Sequence, residues 1–166
     1  MNKDKNQKFV VFKIGEESFG VEVYKVIEIL GSQRVYSIPE LPDFLAGVIN
    51  VRGEVIPLLD LRKRFGVRSS DDEDHIILVK YDSEKIAILV EEIKDIVSLS
   101  SKEITSPPMI FKGLKRKYLT GLGKIDDRII ILLNIDDLLT SEEKIILKES
   151  EGMFSENAGT KKTTQR

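Results

Sequence analysis

The chain has 166 residues, 41% of them hydrophobic and 33% charged, with a formal net charge of −2. That length suits one ordinary domain or two small barrels sharing an interface. The balance of charge argues against a nucleic-acid binder, which normally carries a basic face, and the absence of cysteine excludes disulfides and thiolate metal sites.

Met1 to Lys8 is polar and charged, lacks the apolar core of a signal peptide, and is expected to be a flexible N-terminus. Phe9-Val-Val-Phe-Lys-Ile14 is rich in β-branched and aromatic residues, the composition of a strand, and Gly15-Glu-Glu-Ser18 supplies a turn. Phe19, Val21 and Val23 alternate with Gly20 and Glu22, the two-residue period of a strand. Val26, Ile27, Ile29 and Leu30 follow, too short and too β-branched for a helix. A proline-marked loop, Ser37 to Pro42, leads to two apolar runs, Gly47–Asn50 and Val55–Leu61, joined by a hairpin with Arg52-Gly53 at its tip. Leu61 to Phe65 reads as a helical turn stopped by Gly66, and Ser69 to Asp74 as a solvated acidic link. Strands from Ile76 and Ile86, a loop at Pro107-Pro108 and a hairpin from Gly121 to Ile135 come next. Thr140-Ser-Glu-Glu143 then has the spacing of a capping box, predicting a short C-terminal helix to about Ser150. Residues 151–166 are small, polar and charged and are expected to form a disordered tail. The longest apolar run, Ile129 to Leu133, is far too short to span a bilayer, so a soluble cytoplasmic protein is expected.

This order of elements occurs twice. Phe9 to Leu30 lies without a gap on Ile76 to Val97 (76 − 9 = 67), and Gly47 to Leu61 lies on Gly121 to Ile135 (121 − 47 = 74). Apolar positions fall on apolar positions, as a shared core demands. The repeats, about 9–61 and 76–135, imply two similar subdomains side by side with a cleft between them. Many short strands and little helix predict an all-β fold of two five-stranded barrels, closed to protect their edges.

The run Gly47-Val-Ile-Asn-Val-Arg-Gly-Glu-Val-Ile-Pro-Leu-Leu-Asp-Leu-Arg-Lys-Arg-Phe-Gly66 resembles the signature of the CheW family of bacterial chemotaxis adaptors. Phe19-Gly-Val-Glu-Val23, Val26-Ile-Glu-Ile29, Tyr118-Leu-Thr-Gly-Leu-Gly123 and Ile131-Leu-Leu-Asn-Ile-Asp-Asp-Leu-Leu139 extend the likeness over about 9–148. The resemblance implies SH3-like barrels, no catalytic activity and no cofactor. It further implies a cytoplasmic scaffold, recruited to membrane receptor arrays, that links the cytoplasmic tips of chemoreceptors to the regulatory domain of the histidine kinase CheA. It carries receptor-contacting roles to Val26 and Glu28, to Arg52, and to Ile93 and Ile96. Two departures, Val51 in place of a usual leucine and Glu91 in place of a usual aspartate, keep charge and polarity. An adaptor of the same kind could equally serve pili or another receptor-kinase pathway.

From chemistry alone these sites stay open. Hairpin tips often carry solvated charges, yet the copies disagree at this tip, with Asp126-Asp127 opposite Arg52-Gly53. A guanidinium on a rigid hairpin can offer fork-shaped hydrogen bonding to a partner carboxylate or carbonyl. Val26 and Glu28 share parity on an extended strand and are expected to face the same way; Ile93 and Asp95 repeat the pair. His75 is the only histidine and is expected at a surface or edge. Glu91, Glu92, Asp126 and Asp127 read as solvated acids rather than an acid/base pair, and Lys112 to Lys117 as an exposed basic loop. No catalytic, metal or cofactor constellation stands out.

Overall fold

The computed structural model describes residues 6–41, 44–66, 74–107 and 118–149. The loop 112–117, the tail 151–166, most of the acidic link and Pro108 lie outside them. The first copy forms β1 (Gln7–Ile14), β2 (Glu17–Glu22), β3 (Val26–Leu30), β4 (Leu45–Val51), β5 (Glu54–Asp60) and the short helix α1 (Leu61–Phe65). The second forms β6 (His75–Tyr81), β7 (Glu84–Val90), β8 (Glu92–Leu99), β9 (Ile104–Thr105), β10 (Leu119–Ile125) and β11 (Arg128–Leu133). A helix α2 over 141–149 follows. Its capping box is made as the spacing predicts: Glu143 N donates to Thr140 Oγ1 at 3.1 Å and Thr140 N to Glu143 Oε1 at 2.9 Å. Gly66, at φ 70°, ends α1.

The duplication holds strand by strand. A shift of 67 carries β1, β2 and β3 onto β6, β7 and β8, and a shift of 74 carries β4 and β5 onto β10 and β11. The two sheets have the same order under this exchange, β8-β1-β2-β11-β10 and β3-β6-β7-β5-β4. The first also gains two-residue β9 beside β10; in the second the bridge between Tyr36 and Val48 occupies the matching place.

Neither sheet belongs to one copy. Each takes the opening hairpin of one copy and the remaining strands of the other. The connections force this. Within one sheet β3 would have to lie beside β1 and run parallel to β2, so the chain would have to travel back along β2, about 20 Å for six residues. Val23–Lys25 is the whole link between β2 and β3, and it reaches only about 14 Å. In the second copy the link between β7 and β8 is Glu91 alone. The chain therefore crosses into the other sheet at both places.

This exchange explains why β1 and β6 read as continuous apolar runs. Phe9 and Val11 point into one barrel with Val97, Leu99, Ile130 and Leu132. Ile76 and Leu78 point into the other with Ile49, Ile56, Leu58 and Ala87. The alternate residues Val10, Phe12, Ile14, Ile77 and Val79 meet between the barrels in the largest core, joined by Leu139 and Leu147 from the C-terminal segment. Strands buried on both faces lose the polar half of their alternation. The expected cleft is thus filled by apolar packing. A shallow depression of about 630 Å³ marks the surface where β2 leaves for β3, lined by Gln7, Lys8, Glu22, Val23, Tyr24 and Ser101 among others.

Gly47 and its counterpart Gly121 close the two barrels in the same way. A Cβ on Gly47 would sit 2.6 Å from the Tyr36 carbonyl oxygen, and one on Gly121 the same distance from that of Thr105. Tyr36 and Val48 exchange backbone hydrogen bonds of 2.8 and 3.0 Å at this seam. Because the clash is with backbone, Gly47→Ala is expected to cost about 1–3 kcal/mol of stability. A denaturant melt with an unchanged midpoint would show that the seam can open without loss.

Candidate functional site

The hairpin between β4 and β5 is built by its own residues. Asn50 Oδ1 accepts a hydrogen bond from Gly53 N at 2.8 Å, and both tip residues hold positive φ, 51° at Arg52 and 90° at Gly53. Two successive residues of this kind match the right-handed twist of the flanking strands. The Asn-x-Arg-Gly spacing is therefore first a way of fixing the tip. It holds the Arg52 guanidinium against Glu28 on β3, with Nη2 2.6 Å from Oε1 and Nη1 3.3 Å from Oε2. Glu54 on the same hairpin pairs with Lys85 of β7 at 2.8 Å.

The forked pair spans the seam where β3 approaches the hairpin without a shared backbone ladder. Arg52 remains 70% exposed and Glu28 34% exposed, so water screens the pair and its worth to stability is small. The hydrogen bond from Arg52 holds the Glu28 carboxyl below the usual carboxylate range, with help from the Arg52 and Lys85 charges. The pair raises Arg52 in turn, chiefly through the same hydrogen bond. A lowered folded-state pKa means the clasp is intact above the unfolded-state value and opens only as pH falls through the folded one. Arg52→Gln is expected to move the NMR titration midpoint of the Glu28 carboxyl upward; an unmoved midpoint would mean the fork is not formed in solution.

The other expected site residues are distributed differently. Val26 is half-buried and packs on the core between the barrels, as does Ile93. Ile96 is 62% exposed on β8, which belongs to the other sheet. The expectation that Val26 and Glu28 face the same way is overturned. A β-bulge at Ile27 sets Val26 against Val79 but Glu28 against the next residue, Leu78, and so turns the two side chains to opposite faces. A bulge in β8 does the same between Ile93 and Asp95. The fold thus brings Glu28 and Arg52 together, sets Val26 behind them, and puts Ile93 and Ile96 on the second barrel.

Residues 8–143 match the family model described as CheW-like domain. The chain belongs to the CheW family. It is 36% identical over 143 residues to the chemotaxis protein CheW of Klebsiella aerogenes, covering 85% of this chain and 86% of that one. It is 31% identical over 146 residues to the chemotaxis protein CheW of Treponema pallidum, covering 84% and 86%. The crystal structure of the scaffolding protein TtCheW from Thermoanaerobacter tengcongensis superposes with a TM-score of 0.74 at 31% identity, over 80% of this chain and 91% of that one. The two-barrel, SH3-like fold is that of the CheW family.

Within this CheW fold, two features escaped the reading of the sequence. The clasp recurs on the second barrel, where Arg128 holds Asp95 through contacts of 3.1 and 3.2 Å. Asp95 is the repeat counterpart of Glu28 (28 + 67), but Arg128 is the counterpart of Glu54 (54 + 74), not of Arg52. The sequence signal was an arginine two residues past the expected place. Closing the seam is therefore shared by both copies, whereas a cation at the very tip belongs to the first. Secondly, Glu91 is only 6% exposed, which corrects its reading as a solvated acid. It lies at the crossover from β7 to β8, and its Oε1 accepts from Gly15 N at 2.9 Å. His75, half-buried at the start of β6, sets Nδ1 3.2 Å from the Glu91 carbonyl oxygen. Among the described residues no group of three or more His, Cys, Asp or Glu could hold a metal ion, and no helix is long and apolar enough to cross a membrane.

Proposed function

We propose that this chain is a scaffold that couples chemoreceptors to the histidine kinase CheA, acting by binding and without a chemical step of its own. The observation that carries this reading is the near full-length match to chemotaxis proteins CheW together with the scaffold fold. The receptor face is centred on Arg52 and Glu28, with Val26 beneath them and Ile93 and Ile96 contributing from the second barrel. Arg52 supports that placement physically, because it is a highly exposed cation held in one position by Glu28. A fixed charge loses little freedom when a partner's carboxylate or carbonyl meets it. The kinase's regulatory domain is engaged by packing barrel against barrel, and the protein works in the cytoplasm, gathered at receptor arrays. Many modest contacts in such an array reinforce one another through effective concentration.

Reconstitution decides the matter. Kinase activity measured with receptor-containing membranes and this chain is expected to become receptor-dependent, and to lose that dependence when the chain is left out. Equal activity with and without the chain would refute the reading.

A further inference from the structure

Glu91 is the entire connection between β7 in one sheet and β8 in the other, and three of its polar groups are engaged. Its N–H donates to the Lys13 carbonyl at 3.1 Å, its carbonyl meets His75, and its Oε1 holds the turn between β1 and β2. Its Oε2 is buried and accepts no hydrogen bond from the described residues. Arg62 of α1, only 6% exposed, lies within the electrostatic reach of Glu91 without an ion pair or hydrogen bond to it. Arg62 donates to Asp60 Oδ1 from its backbone N at 2.9 Å and from Nε at 3.3 Å, and sets Nη1 3.3 Å from Asp74 Oδ1. Burial opposes the Arg62 charge, yet Asp60, Asp74 and Glu91 together hold its pKa above the ordinary value. The Glu91 contacts join the β1–β2 turn of one sheet to the start of β6 in the other, and the Arg62 contacts beside them join the end of β5 to the residue before β6.

The first crossover carries a related arrangement with the charges reversed, closed there by an ion pair. Lys25, in the three-residue link between β2 and β3, pairs with Asp136 at 2.9 Å. Asp136 is the repeat counterpart of Arg62 (62 + 74 = 136). The same repeat position therefore carries a charge near each crossover, bound by Lys25 in one case and within the field of Glu91 in the other. Both links are too short to absorb a rotation between the sheets, so whatever holds them also holds the barrels.

We propose that the Glu91 crossover, held to the β1–β2 hairpin and to His75 of β6, is the joint that sets the angle between the two barrels, and that Glu91 is a positioning residue for coupling because it fixes one partner face relative to the other. The part concerning coupling rests on the function proposed above; the part concerning the joint does not. Removing the buried Glu91 carboxylate leaves Gly15 N without its acceptor and the buried Arg62 charge less compensated, which loosens the junction while each barrel keeps its own apolar interior.

The chain has no native cysteine, so a pair of spin labels can be placed uniquely at Lys80→Cys on β6 and Lys124→Cys on β10, both exposed and on different sheets. Electron-spin distance measurements should give one narrow distance in the otherwise unaltered chain and a clearly broadened or shifted one in Glu91→Ala. Glu91→Gln, which keeps the acceptor for Gly15 N but removes the charge beside Arg62, should fall between them. If Glu91→Ala does not fold, Glu91→Gln carries the test alone and must still broaden the distance. An unchanged distance in a folded Glu91→Ala, or in Glu91→Gln when it stands alone, overturns the joint. In reconstitution, folded Glu91→Ala should bind receptor membranes and CheA separately within about twofold of the parent. It should also lose about fivefold or more of receptor-dependent kinase activation, the scale of an ordinary coupling energy. Lost activation at an unchanged distance would assign Glu91 to a partner contact and overturn its positioning role. If the parent chain itself fails to make the kinase receptor-dependent, the proposed function falls, while the distance measurement still decides the joint.

Discussion

Phe12→Ala is expected to lower the unfolding free energy by about 3–5 kcal/mol, the usual cost of emptying a buried phenylalanine site. Phe12 is fully buried in the core between the barrels. Its ring begins a ladder in which Phe12 and Phe19 lie 6.1 Å apart, Phe19 and Phe65 5.2 Å, and Phe65 and Tyr118 5.7 Å. That ladder joins β1, β2, α1 and the residue leading into β10, so the cavity is felt in both halves. Arg64 extends it, bonding the Tyr118 hydroxyl at 3.1 Å and Glu143 of the α2 cap at 2.8 Å. For a chain of this size the melting temperature should fall by roughly 6–20 °C. Because each sheet contains strands of both copies, neither barrel can unfold while the other stays intact. Calorimetry should therefore show one transition, with equal calorimetric and van't Hoff enthalpies, in both parent and variant. Two transitions, only one of them shifted by Phe12→Ala, would refute the shared core as the unit of folding.

Arg52→Glu is expected to weaken binding to receptor-containing membranes about tenfold or more, the range of a charged interface anchor. The structure changes how that loss should be read. Both inward-facing nitrogens of the guanidinium are already taken by Glu28, so a partner at the proposed receptor face would meet the outer edge of a fixed ion pair rather than a free cation. The charge swap Arg52→Glu with Glu28→Arg separates the two contributions. It rebuilds the clasp but leaves an acid at the tip, and binding is expected to stay weak. Recovery of binding in the swap would mean that the clasp matters and the exposed cation does not. Melting should move little in the single variant, since an exposed, screened pair adds little stability. Unchanged binding in Arg52→Glu, or collapse of its fold, would remove Arg52 from the receptor face.

Much of the fold was legible because it is written in short-range patterns. Runs such as Phe9 to Ile14 and Ile76 to Tyr81 announce strands by side-chain type, and Asn50 to Gly53 announces a hairpin by the backbone conformations it permits. Thr140 and Glu143 announce a helix start, and the duplication gives every strand of the first copy a counterpart strand in the second. The arginine of the candidate site was legible for the same reason, as a charged residue in a turn of defined chemistry. Its engagement with Glu28, 24 residues away in the chain, was not. Nor was the β-bulge at Ile27, since a one-residue slip against β6 leaves no mark in the order of apolar residues on β3 itself. Glu91 and Glu92 look alike as neighbours, yet one is buried at a crossover and the other is exposed at the start of β8.

By itself the sequence determined an all-β chain of two equivalent sets of strands, the hairpin that carries Arg52, and membership of a family of adaptors. Those properties depend on residues near one another or on likeness along the whole chain. Only the tertiary structure decided that the sets exchange strands, that an apolar core fills the space between the barrels, and that each hairpin is clasped to an acid on a strand of its own copy. The physical reason lies in the two short crossovers. A three-residue link and a one-residue link cannot carry the chain back along a strand, so the sheets had to share their strands, and only a three-dimensional path reveals that constraint.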